Sequence, residues 1–373
     1  MRWTRTVMAA ARRRFLARTI PIVGLVAALA VTWAAGATAM SEALGAVVSL
    51  AGLGVLLAVV FAAVHHADVI AHRTGEPYGT LVLTVAVTVI EVALILSIML
   101  AGKGQPGLAR ETVYAVIMVV CNGVVGLCLV VGGLRHGEQG FRLPGINAYL
   151  VVLMPLATLT LILPTYTTSA PGAYYSTAQL GFVSVATLAL YAVFLYVQTV
   201  RHRDYFLSDL GDGGEDHGVA PAPRQVWESV ALLMIGLVAV VLLAKGVAGS
   251  IETMVLELGA PTEAVGLLVA LLVLMPETLA ALRAARRNEL QKSLNLALGS
   301  SLATIGLTIP AVSLLAMVLK QPLELGIDQH DMAMLVLTFG VSLVTFVGGR
   351  TNILPGFVHL VLFAVFVFMI FVP

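Results

Sequence analysis

Long apolar runs separated by short polar connections fill the chain from Thr19 onward. Eleven of them come close to the roughly 20 residues that an α-helix needs to cross a bilayer. Their expected bounds are 19–36, 44–64, 79–101, 112–134, 147–163, 178–199, 227–248, 264–282, 294–317, 333–348 and 353–372, each end uncertain by about a few residues. One polar stretch, His202 to Arg224, is longer than the rest and divides the series. Five runs (the second to sixth) precede it and five follow.

An odd number of crossings in each half makes the halves enter the membrane from opposite sides, which is the geometry of inverted repeats with a binding site at the midplane. The expected organisation is a basic N-terminus with the first helix over 1–40, a five-helix repeat over 41–200, an acidic linker over 201–226, and a second five-helix repeat over 227–373. The fold class is therefore an all-α polytopic membrane protein. Composition agrees: 59% of the residues are hydrophobic and 11% are charged, against about 25% charged in a soluble domain. A soluble fold could not bury that much apolar surface.

Charge settles which way the helices run. With the N-terminus placed in the cytoplasm, Arg2, Arg5, Arg12, Arg13, Arg14, Arg18, Arg73, Arg135, Arg142, Arg201, Arg203, Arg224, Arg283, Arg286, Arg287, Lys292 and Arg350 fall on the inside. Only Lys103, Arg110, Lys245 and Lys320 fall outside. The bias predicts a cell inner-membrane protein with its N-terminus in and its C-terminus out. The Arg-rich start and Ala37-Thr38-Ala39 also resemble a cleavable signal peptide, but the apolar run from Thr19 to Ala35 is longer than the usual core of one, so a retained helix is expected. Cys121 and Cys128 lie seven residues apart on one helix, roughly 10 Å, too far for a disulfide, and read as packing residues.

Two carboxylates lie inside the apolar runs: Glu91 and Glu277. A carboxylate at that depth costs at least about 2.5 kcal/mol and is tolerated mainly where it faces a cavity and binds a cation or a proton. Thr84 and Thr88 precede Glu91 by seven and three residues and share its helical face. Hydroxyls beside a carboxylate suit a hard cation such as Ca²⁺ or Na⁺. The blander reading of Glu91 is a protonated acid hydrogen-bonded to a neighbouring helix. Pro276, directly before Glu277, deprives the Leu272 carbonyl of its helical partner. Such carbonyls coordinate cations in transporters, although a plain kink is the alternative.

The helix after each acid carries a small, polar patch: Cys121-Asn122-Gly123 in the first half and Gly299-Ser300-Ser301 in the second. Asn122, Asn295, Ser300, Ser301 and Thr304 could complete a site or simply join helices. His359 could relay protons or pack on a carbonyl. His65, His66 and Asp68 read as an interface cluster rather than a metal site. The acidic residues from Asp204 to Asp216 lack EF-hand spacing, so a solvated linker is expected rather than a Ca²⁺ sensor.

The stretches HADVIAHRTGEPYGTLVLTVAVTVIEVALI (66–95), MPETLAALRAARRNELQKSLNLALGSSLATIGLTIP (275–310) and GRTNILPG (349–356) resemble the calcium/cation antiporter superfamily, most closely its ChaA-type calcium(sodium)/proton antiporters. The resemblance covers nearly everything from the second helix onward. It implies that Glu91 and Glu277 exchange a cation for protons by alternating access, with Gly299, Ser300 and Ser301 near the site. The wider cation/proton exchanger branch carries Gly-Asn-Ala-x-Glu in both repeats. Here the stretches read Val87-Thr88-Val89-Ile90-Glu91 and Val273-Leu274-Met275-Pro276-Glu277, so Thr88 and Leu274 stand in place of the two asparagines.

The expected partners are inorganic cations, protons and the lipid bilayer, with no nucleic acid and no cofactor. A monovalent Na⁺/K⁺ antiporter with little Ca²⁺ transport is the alternative. A channel would use similar acids without needing protons. A membrane enzyme is disfavoured because no HExxH or nucleophile–base pair accompanies the acids.

Overall fold

The computed structural model describes residues 16–30, 42–74, 78–101, 106–207, 221–257, 259–261 and 263–372. Eleven helical segments carry the eleven apolar runs: α1 (Leu16–Ala30), α2 (Glu42–Thr74), α3 (Tyr78–Ala101), α4 (Leu108–His136), α5 (Leu143–Tyr166), α6 (Thr177–Arg201), α7 (Pro223–Glu257), α8 (Glu263–Arg286), α9 (Leu290–Leu319), α10 (Gln329–Phe346) and α11 (Ile353–Phe371). Nine contain described stretches long and apolar enough to cross a membrane. The protein is an all-α polytopic membrane protein.

Helix ends follow local chemistry. Ser176 and Gln179 form a reciprocal capping box at the start of α6. Asp328 accepts from the Asp331 amide at the start of α10, and Asn352 accepts from the Leu354 amide at the start of α11. Lys320 closes α9 in the left-handed conformation, with φ 54°. Several helices outrun the expected bounds. In α2 the polar tail His65–Thr74 continues the helix, because hydrophobicity marks where lipid ends and not where the backbone stops.

Among the described residues four helices widen to π-type turns that periodicity did not foretell: Val119–Val124 in α4, Thr158–Ile162 in α5, Val197–Arg201 in α6 and Thr304–Thr308 in α9. Two of these lie just ahead of Pro164 and Pro310, whose missing N–H disrupts the normal ladder. The turn in α4 has no proline near it.

The chain packs as two units. The first comprises Met1–Lys103 with His217–Gly259, and the second Gly104–Asp216 with Ala260–Pro373. Each draws on both halves of the sequence.

In the first unit, α2 and α3 pack on α7 and on each other. At one end of this unit Arg18 pairs with Glu228 at 2.7 Å. There His66 bonds to Ser229 (3.2 Å) and the Ala17 carbonyl (2.9 Å), joining α1, α2 and α7. His66 thus serves helix packing, and Asp68 lies 4.0 Å from His72. Among the described residues no group of three or more His, Cys, Asp or Glu is placed to hold a metal ion.

In the second unit, Gln139–Gly140 pairs antiparallel with Arg350–Thr351, tying the loop after α4 to the loop before α11. His136 reaches the Arg286 carbonyl, Gln139 the Asn288 side chain, and Arg142 the Asp204 carbonyl at the same end. At the other end Arg110 binds Glu324 (2.8 Å) and the Gly326 carbonyl. Within this unit, loops expected on one face of the membrane do meet.

Candidate functional site

Glu277 stands on α8, directly after Pro276. The helix continues through the proline, whose missing N–H leaves the Leu272 carbonyl without its usual donor. The Leu272 side chain is buried. Glu277 is partly buried, and its Oε2 is sealed from solvent with no hydrogen-bond partner among the described residues. A buried polar atom without a partner is rare in a folded protein and marks a place where a ligand or a proton belongs.

Helix α8 packs on α4, including its π turn, and on α9. The contact with α4 is close: a Cβ at Gly266 would come within 2.9 Å of Glu111, so glycine is what lets the two backbones approach. Helix α9 also packs on the α4 π turn. Glu277, Asn122 and the Ser300–Ser301 pair therefore sit on three mutually packed helices. Ser301 is fully buried, and its Oγ also lacks a hydrogen-bond partner among the described residues. Ser300 is half-buried and Thr304 buried. Carboxylate, hydroxyl and backbone oxygens from adjacent helices are the donor set of a hard cation.

Asn122 joins helices, one of the two roles open to it from the sequence. Its Nδ2 donates to Thr338 Oγ1 at 2.8 Å, and its Oδ1 lies 3.1 Å from His359 Nδ1. His359 Nε2 is 3.1 Å from Thr345 Oγ1. Asn122, Thr338 and His359 are all fully buried. Thr338 and Thr345 were missed from the sequence, although Thr338, Ser342 and Thr345 form a polar stripe at i, i+4 and i+7 that a search for hydroxyl faces would have found. Asn295, the secondary candidate on α9, bonds to the Phe206 carbonyl (2.6 Å) and to Gln291, and secures the end of the helix.

The other acid belongs to the first unit. Glu91 is 1% exposed on α3, with half-buried Thr88 one turn before it. The Thr84 side chain lies outside the described residues, as does the acidic linker from Ser208 to Ala220.

Residues 44–200 and 228–372 match the family described as Sodium/calcium exchanger protein. The chain is 45% identical to y4hA of Sinorhizobium fredii over 332 residues, 88% of this chain and 89% of that one. It is 40% identical over 328 residues to the sodium-potassium/proton antiporter ChaA of Escherichia coli, covering 87% and 88% of the two chains. The fold superposes on native YfkE, a Ca²⁺/H⁺ antiporter, with a TM-score of 0.72 at 14% identity, over 95% of this chain and 99% of that one.

Proposed function

Because the chain belongs to the sodium/calcium exchanger protein family, we propose that it is a secondary antiporter exporting Ca²⁺ and Na⁺ from the cytoplasm in exchange for protons. The observation that carries the reading is the buried, unpartnered Glu277 Oε2 on a helix packed against hydroxyl-bearing α9. Glu91 on α3 is the second acid that the exchange cycle requires. In the cytoplasm-facing state both carboxylates are ionised and hold the cation, with Thr84, Thr88, Ser300, Ser301, Asn122 and the Leu272 carbonyl completing the oxygen shell. Facing outward, protonation displaces the cation, and return with neutral acids carries protons in. Cation and proton compete for the same oxygens, so their differential binding is the coupling.

The order of the helices supports paired halves. Counting from the start of each half, α3 corresponds to α8 and α4 to α9. Each acid-bearing helix is followed by one with a π turn, at Val119–Val124 and at Thr304–Thr308. The chain sits in the inner membrane with its N-terminus in the cytoplasm, as the arginine bias requires. A monovalent reading, Na⁺ and K⁺ with little Ca²⁺, is favoured by the 40% identity to a sodium-potassium/proton antiporter and by Thr88 and Leu274 in place of two asparagines.

The test is cation-driven collapse of a pH gradient in everted vesicles, run with Ca²⁺, Na⁺ and K⁺ separately. Dissipation by Ca²⁺ and Na⁺ is expected, and Glu277→Gln abolishes it. Dissipation by Na⁺ and K⁺ alone selects the monovalent reading. Undiminished exchange in Glu277→Gln would refute the site.

A further inference from the structure

The α4 π turn presents a puzzle that its sequence alone does not solve. In α9 the corresponding widening precedes Pro310, which cannot donate to the Gly306 carbonyl. In α4 no proline lies in or near the turn, so something else must hold the extra residue in place.

Helix α11 supplies it. Glycines on one side of α4 form a groove into which α11 settles. A Cβ added at Gly123 would come within 3.3 Å of the Phe363 ring, and one at Gly133 within 2.9 Å of the Ile353 backbone. Between them a Cβ added at Gly126 would lie 3.0 Å from the Gly356 carbonyl oxygen, the His359 Cβ and the Leu360 amide nitrogen. These approaches fix the distance between the two helices, and they bring the imidazole onto the π turn at Asn122.

The hydrogen-bond chain is directional. Asn122 Nδ2 donates to Thr338, so its Oδ1 faces His359 and accepts. His359 Nδ1 must then carry the hydrogen, and Nε2 accepts from the Thr345 hydroxyl. Every polar atom of the Asn122 amide is thereby assigned a place by α10 and α11, two helices that carry none of the proposed cation ligands.

We infer that His359 is a positioning residue for cation binding: its Nδ1–H, held by the contact of Nε2 with Thr345, fixes the amide of Asn122 and with it the π turn of α4 against Glu277 and Ser301. The inference rests on the reading of α4, α8 and α9 as the cation site. It extends that site to Thr338, Thr345 and His359, which reach the cation only through Asn122.

Isosteric replacements separate this role from simple packing. Asparagine at 359 can place an amide N–H where Nδ1 was, whereas glutamine places its head group near Nε2 and cannot serve Asn122 in the same way. The experiment measures apparent KM and Vmax for Na⁺ and for Ca²⁺ in everted vesicles carrying the full chain with His359→Leu, His359→Gln or His359→Asn, alongside thermal unfolding of the purified variants. Loss of one buried hydrogen bond predicts that His359→Leu and His359→Gln raise KM about five-fold, with Vmax per folded molecule changing far less. His359→Asn recovers most of that shift. If His359→Leu does not fold, the contrast between Gln and Asn carries the test. Equal KM for the Gln and Asn variants, or unfolding temperature falling while KM stays at the wild-type value in all three, overturns the inference. Glu277→Gln assayed in the same vesicles keeps the two claims apart: full exchange there defeats the functional reading, whereas its loss beside an unmoved KM in His359→Gln defeats only the positioning role.

Discussion

Two helices of the second unit widen at mid-span, α4 at Val119–Val124 and α9 at Thr304–Thr308, and they do so for different reasons. In α9 the cause is covalent. Pro310 withholds a backbone donor from the Gly306 carbonyl, and Gly306 itself admits Tyr191 of α6, whose Cβ would lie 2.8 Å from an added methyl. In α4 the cause is tertiary. A glycine groove admits α11, and His359 and Thr338 secure the Asn122 amide. One irregularity is written into the local sequence; the other exists only when distant helices dock. The same backbone device can thus be built with a proline, legible locally, or with partners more than 200 residues away, which are not.

The largest effect should come from closing the groove. Gly126→Ala adds a methyl 3.0 Å from two backbone atoms of α11 that cannot rotate away. Overpacking of this kind costs about 1–3 kcal/mol, and displacement of α11 also breaks the His359–Asn122 bond. A lower unfolding temperature in detergent, with exchange nearly lost, is the expected result. Wild-type activity in this variant would show that the α4 turn does not depend on α11.

Next in size is Pro310→Ala. It returns an N–H to α9 and lets the turn relax to a regular helix, and the recovered hydrogen bond offsets the roughly 0.4–1 kcal/mol lost as the unfolded chain gains freedom, so stability should hold or rise while exchange falls. The opposite pattern, lower stability with unchanged exchange, would mean that the α9 turn has no part in transport. Because α4 contains no comparable proline, no single backbone substitution there should mimic the effect.

The smallest effect is expected at the helix end. Lys292, 64% exposed, lies 3.7 Å from Glu289 at the start of α9. Exposed pairs of this kind contribute about 0–1 kcal/mol at most, so Lys292→Ala should leave both unfolding and exchange near wild type. A large loss would move the functional region of α9 from its middle to its end.

Much of this architecture was legible because lipid imposes a crude rule. Apolar run length gave all eleven helices, and the arginine bias sorted the loops into two sets, which meet end by end within the second unit. Glu91 and Glu277 stood out because an acid has no ordinary reason to lie in an apolar run. Helix ends were less legible: α2 carries on through His65–Thr74 because packing at His66, Ala67 and Ile70 extends the helix past its apolar run. That α8 continues beyond Pro276 to Arg286 was legible only as a long apolar run, because a proline alone does not say whether a helix stops or goes on. Asn122 was recognised as a polar patch, but its partners Thr338, Thr345 and His359 lie on helices whose docking leaves no periodic trace.

The account depends most on Glu91 and Glu277 acting on one cation as a single device. The most direct measurement is a double-mutant comparison of cation-driven proton exchange in everted vesicles, using Glu91→Gln, Glu277→Gln and the pair together. Residues that act as a unit are strongly non-additive, so each single variant should lose as much exchange as the double. Substantial activity in either single variant, with losses that multiply in the double, would contradict a shared site.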